Sequence, residues 1–371
     1  MKLIERQPSK FLENSRMLII TDTGEAETVL RNKAYTIPNL YQFLENLENA
    51  SGESLEMTRC FVNVAPFFLE NERHQLIRKL ALEFFHHKNL ANWEEFISYQ
   101  INDLVNAIPK GQEIDLVQLI AYPLFDRIGR PLLGVYPNDY KAFDRRATVL
   151  QKLVEPMQSI RKLKLFEEDV KLLVSMLREA SNKKKPEAIY NCALPDSSFL
   201  ERLLDKRPLD ETSCYALSIA MFAALAPLVQ TTVNMLALII SDLNGKPFVK
   251  QDFIDNLDSL IHLATAPKYI HRIANDNNYI GEKYIEEGTT ILIDIQQTFD
   301  IDPKKPGRLS KHFSFGVGAH FCIGAQISKK ILKELIPIFF EKFPSTTIVS
   351  YEIDTDNSIA YAYKNFIINQ I

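Results

Sequence analysis

The chain has little of what would mark it as secreted, nucleic-acid-binding or repetitive. It carries four cysteines in 371 residues, Cys60, Cys192, Cys214 and Cys322, widely scattered and without paired spacing. That excludes a disulfide framework and points to a reducing compartment, hence to a cytoplasmic protein. No sign of charge dominates: 43 Lys and Arg stand against 47 Asp and Glu, for a net charge of -4. A general attraction to nucleic acid or to an anionic membrane is therefore excluded, and any basic surface has to be local. Met1 to Ser15 mixes Lys2, Glu5, Arg6, Lys10 and Glu13 with few apolar residues, so neither a signal peptide nor an N-terminal membrane anchor is expected. Internal repeats and low-complexity tracts are also absent, and a single domain over 1–371 is the economical expectation.

One segment lacks charge altogether. Thr212 to Ser241 contains no Asp, Glu, Lys or Arg, and about 20 apolar residues suffice to cross a bilayer. Pro227, Gln230, Thr231, Thr232 and Asn234 cluster at its middle, where lipid penalises polar groups most. A helix buried through the centre of the protein explains this composition better than a membrane span.

What is present is mostly helical periodicity, as in Leu76–Phe85, Glu95–Leu104, Leu165–Leu177 and Ile327–Phe343, with short strand-like runs such as Thr289–Ile295. Ser181 to Pro186 breaks the pattern and reads as a solvated loop between helices. The expected class is mainly α with small β-sheets.

The densest chemistry lies in Phe315-Gly316-Val317-Gly318-Ala319-His320-Phe321-Cys322-Ile323-Gly324. One cysteine sits on a glycine-hinged loop just before a helical pattern. The glycines let the backbone pass close under a flat group, and the free N–H groups and positive dipole end of the next helix stabilise a sulfur anion. A zinc site built on His312, His320 and Cys322 lacks a second ligand pair, and the glycines have the wrong spacing for a dinucleotide fingerprint.

This stretch resembles the haem loop of the cytochrome P450 family, F-G-x-G-x-H-x-C-x-G in bacterial members. Six specified residues coincide by chance on the order of once in 10^8 start positions. The resemblance implies haem b (iron protoporphyrin IX) with Cys322 as the axial thiolate ligand, cradled by Phe315, Gly316, Gly318 and Gly324. A thiolate so placed pushes electron density toward bound oxygen. His74 and Arg78, on one helical face at i, i+4 spacing, resemble the family's H-x-x-x-R propionate pair, and Arg272 and His320 match two further propionate partners. The charge-free segment matches the distal helix, where the family carries A-G-x-(D/E)-T-(T/S) and this chain has Pro227-Leu228-Val229-Gln230-Thr231-Thr232. The resemblance gives Thr231, with Gln230 and Thr232, the task of organising oxygen or peroxide.

Two departures stand out. Gln230 replaces the distal acid and cannot supply a proton as a carboxylic acid does, while Pro227 removes a backbone donor and kinks the helix. The family's E-x-x-R ion pair is also missing: Ser259 and His262 occupy its places, and no arginine occurs between Arg207 and Arg272. The irregular segment before the cysteine loop, which carries that pair's third partner, is shortened. Losing both halves together avoids an unpaired buried charge, and His262 with Ser259 offers a hydrogen-bonded substitute.

By family position the substrate pocket is lined by Phe67, Phe68, Ala223, Ala224, Leu228 and Tyr269, mostly apolar walls suited to a hydrophobic or carrier-tethered small molecule. Lys304, Lys305, Arg308, Lys311, Lys329, Lys330 and Lys333 form a local basic excess where an acidic ferredoxin or flavodoxin could dock. The expected function is a monooxygenase-type oxidation, of the kind used in secondary metabolism. Two alternatives stay open: a peroxide-using or substrate-rearranging haem-thiolate enzyme, and a haem-binding pseudoenzyme that serves as a scaffold.

Overall fold

The computed structural model describes residues 10–12, 16–154, 159–181, 194–195, 197–302 and 309–370. Cys192, most of the Ser181–Pro186 stretch and the basic residues Lys304, Lys305 and Arg308 lie outside the described residues. The chain divides into two compact units, one of residues 1–38, 104–122 and 227–371, the other of residues 39–103 and 123–226.

The first unit holds every described strand. Its main sheet has the order β1-β2-β8-β5-β3, built from β1 (Lys10–Leu12), β2 (Met17–Ile20), β3 (Tyr35–Thr36), β5 (Tyr269–Ala274) and β8 (Thr290–Asp294). A three-stranded sheet joins β4 (Glu113–Asp115) to β12 (Tyr363–Gln370) and β11 (Thr346–Ile353), and β6 (Asn278–Ile280) with β7 (Lys283–Ile285) forms a hairpin. A second hairpin pairs β9 (Phe299–Ile301) with β10 (Leu309–His312). The segment before the cysteine loop thus contains, among its described residues, two paired antiparallel strands. In the main sheet β2 and β8 run parallel with Leu18 opposite Ile291 and Ile20 opposite Ile293. These strands are apolar and β-branched because both faces are covered. Helix α1 (Thr23–Arg31), capped by Asp22 accepting from Glu25 N at 2.9 Å, closes one face. The resulting core joins Leu18, Ile20, Val29, Ile291 and Ile293 to Phe313, and Val317 of the cysteine loop packs against it.

The second unit is helical: α2 (Leu40–Ser51), α3 (Glu56–Val62), α4 (Asn71–Phe85), α5 (His87–Ala107, whose last turn belongs to the first unit), α6 (Tyr122–Leu133), α7 (Tyr140–Val149), α8 (Ile160–Ser181) and α9 (Phe199–Lys206). Its internal ties use buried charge sparingly. Glu167 of α8 is buried and accepts from Met57 N at 3.1 Å, Thr58 N at 2.8 Å and the Thr58 hydroxyl at 3.0 Å, capping α3, whose own N-cap residue makes no such bond. Arg130 of α6 is clamped by Asp126 and Asp144 and lies over the rings of Tyr140, at 4.4 Å, and Phe222, at 5.1 Å.

Helix α10 (Glu211–Leu243) runs through both units. It is the one described helix long and apolar enough to cross a membrane, and half of its most apolar window is buried inside the protein. The remaining helices, α11 (Lys250–Asp255), α12 (Leu257–Ala264) and α13 (Ala325–Lys342), belong to the first unit. Each periodic segment of the sequence lies in a helix of matching type: Leu76–Phe85 in α4, Glu95–Leu104 in α5, Leu165–Leu177 in α8 and Ile327–Phe343 along α13.

Candidate functional site

Phe313, nearly fully buried in the sheet core, fixes the start of the cysteine loop. From there the loop is closed by its own backbone. Gly316 N donates to Phe313 O at 2.8 Å, Phe321 N to Gly318 O at 3.1 Å and Cys322 N to Phe315 O at 2.7 Å. Gly316 adopts φ +68°, and a Cβ there would come within 3.1 Å of His320 O, so both the conformation and the space require glycine. Gly318, at φ +69°, makes a second left-handed turn. The product is an exposed Cys322 thiol beside a Phe321 ring that is 44% exposed, immediately before α13. Gly324, the N-cap of α13, offers no side-chain oxygen, which leaves first-turn N–H groups directed toward the cysteine end.

Arg272 is buried on β5, with its guanidinium donating to His271 O at 2.7 Å. Its strand neighbours two residues away, Ile270 and Ala274, belong to the same core that receives Val317. His320, half-buried, closes the 3-10 turn Gly318–His320. The first unit therefore gathers Cys322, Arg272, His320, Phe315 and the loop glycines with Gln230, Thr231 and Thr232. The second holds His74, buried on α4, and Arg78, one turn on and half-buried beside a cleft that Lys79, His86 and Lys88 also line. It also holds Phe67 and Phe68, edge to face at 4.7 Å, and Ala223 and Ala224.

On α10 the polar cluster is organised. Thr232 donates its hydroxyl to Leu228 O at 2.7 Å, whereas Thr231 accepts from Ala266 N at 3.2 Å. A hydroxyl has a single hydrogen, so Thr232 has spent its own and Thr231 retains one to donate. Gln230 Oε1 accepts from Tyr363 N at 3.3 Å, which leaves its NH2 group as donor. Asn234 donates to Ala264 O and Tyr361 O, both at 3.1 Å, fastening the helix to the last residue of α12 and to the segment before β12. Pro227 has no N–H for the carbonyl of Ala223 four residues back. That carbonyl instead accepts from Gln151 Nε2 at 2.6 Å. Burial of the helix is interrupted here: Ala224 is exposed and Leu225 to Leu228 are half-buried. Tyr269, half-buried at the head of β5, has its phenol pKa pushed up by burial and then by Asp294.

The Ser259 and His262 positions are both buried on α12. Ser259 Oγ accepts from Leu309 N at 3.1 Å, and His262 Nε2 lies 3.1 Å from Gln296 O, so both positions are tied to backbone atoms of other segments. The lysines around the loop are less available than their number suggests. Lys329 pairs with Asp258 at 2.6 Å, Lys330 with Glu334 at 2.6 Å, and Lys311 with Glu27. The structural roles of Gln151, Asn234, Gln296, His312 and Ser314 escape a reading of the sequence, because each acts on a partner distant along the chain or on a backbone atom. The only local signal is the H-x-S pattern directly before the loop.

No family model matches the chain. Cytochrome P450-SU2 of Streptomyces griseolus is 25% identical over 309 residues, covering 77% of this chain and 72% of its own. Among solved structures, CalO2 superposes with a TM-score of 0.78 at 13% identity, over 98% of this chain and 93% of that one. P450BioI, solved in complex with an acyl carrier protein ligated to hexadec-9Z-enoic acid, gives 0.75 at 14% identity, over 95% and 92%. The fold is thus that of the haem-thiolate cytochromes P450. The chain is a relative of the bacterial members of that family, whose cofactor is haem held by a cysteine thiolate. The loop fits such a group: a soft, exposed sulfur and an uncovered aromatic ring stand on a backbone that its own hydrogen bonds hold rigid.

Proposed function

We propose that the protein is a haem-thiolate oxidoreductase, one functional domain acting in the cytoplasm, that oxidises a hydrophobic or carrier-tethered small molecule of secondary metabolism. In this reading Cys322 would hold the haem iron through its thiolate. Thiolate-bound haem supplies the oxygen-activating redox chemistry. His74, Arg78, Arg272 and His320 neutralise the propionates, and Phe315, Gly316, Gly318 and Gly324 let the backbone pass under the ring. Thr231 gives its remaining hydrogen to the oxidant, while Thr232 spends its own on the helix. Phe67, Phe68, Ala223, Ala224, Leu228 and Tyr269 face the substrate. A ferredoxin or flavodoxin delivers electrons at the face beside Cys322. The carrier-bound form in which one structural neighbour was solved supports a tethered substrate.

The observation that carries the reading is the open thiol of Cys322 on a loop fixed by the 2.7 Å bond from Cys322 N to Phe315 O. Its test is the absorption spectrum of the reduced protein under carbon monoxide, before and after Cys322→Ser. A thiolate-type band lost on substitution is the expected result. Protein purified without haem, or a band indifferent to the substitution, overturns it.

Gln230 favours a second reading, peroxide-driven or rearranging chemistry, because its amide donates hydrogen bonds but does not release a proton. Turnover with peroxide, and none with an electron donor and oxygen, selects that reading over the first.

A further inference from the structure

The segment that enters the cysteine loop is tied to α12 by a line of polar contacts. The carbonyl of Gln296 only accepts, so His262 Nε2, at 3.1 Å, carries the hydrogen and donates. The other ring nitrogen, Nδ1, faces the hydroxyl of Ser314 at 3.5 Å. Ser314 in turn stands 3.1 Å from His312 Nδ1 through its hydroxyl and 3.4 Å from it through its N–H. The two imidazoles lie 5.7 Å apart, and Phe299 closes over His262 at 5.2 Å. Ser314 directly precedes Phe315, whose carbonyl accepts from Cys322 N. One hydroxyl and one backbone bond therefore connect α12 to the thiol. Charge is kept to the rim, where Asp258 and Lys329 pair with each other.

We propose that His262 and Ser314 are positioning residues for Cys322: they fix where the chain enters the loop, and through the Phe315 carbonyl they fix the direction in which the thiol is presented. This rests on the reading of Cys322 as the haem ligand. The physical argument is economy of contact. The Phe313 ring anchors the loop on the sheet side by apolar burial, which is non-directional. The Ser314 hydroxyl has one hydrogen to give to either facing ring nitrogen, and that bond adds direction, because hydrogen bonds weaken steeply off axis.

The experiment uses the full chain with Ser314→Ala and Ser314→Thr. In haem-free protein, hydrogen exchange at the Cys322 amide is expected to be about tenfold faster in Ser314→Ala than in the wild type. Ser314→Thr keeps the hydroxyl and is expected to restore the slow rate. In haem-loaded protein, Ser314→Ala is expected to lower the share of the thiolate-type carbon monoxide band, and Ser314→Thr to recover it. His262→Gln, which keeps an N–H for Gln296 O, follows the threonine variant. Wild-type exchange and a wild-type band in Ser314→Ala overturn the tie. If the wild type itself shows no thiolate band, the reading of Cys322 fails, and exchange in the haem-free protein still decides whether Ser314 holds the loop.

Discussion

The cysteine loop and the middle of α10 differ in how closely they match the sequence patterns they resemble. The loop matches every specified residue from Phe315 to Gly324, and behind it Ser259 and His262 hold backbone atoms by hydrogen bonds. The helix keeps its threonines and exchanges what surrounds them, with Pro227, Leu228 and Gln230 in place of small residues and an acid. A ligand loop needs its backbone path and its sulfur, and many kinds of support will serve. On the helix the changed groups lie beside the proposed chemistry, so substitution there alters the reaction as well as the scaffold.

The comparison breaks most decisively at Cys322. Cys322→Ser is expected to abolish the thiolate-type band while leaving the unfolding temperature of haem-free protein within a few degrees of wild type, because an exposed thiol contributes little packing. A large loss of stability would mean that the loop is held by its sulfur. Next in size, Gln151→Leu strips the Ala223 carbonyl of its donor and is expected to cost about 1–3 kcal/mol in denaturant unfolding. Combined with Pro227→Ala, which restores a helical N–H, the cost of Gln151→Leu should fall by about 1 kcal/mol. Strict additivity would show that Gln151 does not repair the proline. Thr231→Val removes the acceptor for Ala266 N and is expected to cost about 0.5–1.5 kcal/mol, with a larger fractional effect on oxygen-dependent turnover than on stability. Gln230→Glu preserves an acceptor for Tyr363 N and adds an acid. It is expected to raise oxygen-dependent turnover severalfold with little change in melting temperature, and unchanged turnover with intact haem would mean that protons arrive by another route.

The smallest effect is one of pH. Burial lowers the pKa of His312, with Asp258 and Lys329 pulling in opposite directions, and burial followed by Arg272 lowers that of His271. A folded-state pKa below the unfolded value means that the unfolded chain binds more protons between the two. The stabilisation is thus present above the ordinary histidine value of about 6.5 and is lost as pH falls through that value toward the folded pKa. A melting curve of His312→Gln should show a shallower acid slope than wild type.

The loop was legible because it is contiguous, with ten neighbouring residues carrying both the chemistry and the backbone conformation. The helices were legible for a similar reason, since 3.6-residue periodicity is local. The supports were not. His262 meets Gln296 and Ser314 from 34 and 52 residues away, and Gln151 meets Ala223 from 72. Two of these contacts use a backbone carbonyl on one side, which no residue type announces. The substitution of Ser259 and His262 for the ion pair could be read as a loss, and a hydrogen-bonded replacement could be expected. Its third member, Ser314, and the hairpin that presents Leu309 to Ser259 emerge only from the fold.

The repair of Pro227 by Gln151 also bears on history. A proline arriving in the middle of α10 would strand a carbonyl, whereas a glutamine arriving first at position 151 would meet a helix already complete and could persist without harm. Order of arrival therefore matters: with Gln151 already present, Pro227 can be gained or lost without stranding the Ala223 carbonyl, whereas Gln151 cannot be lost harmlessly while Pro227 remains. The dependence between the two positions is thus one-sided: Pro227 leans on Gln151, while Gln151 asks nothing of Pro227.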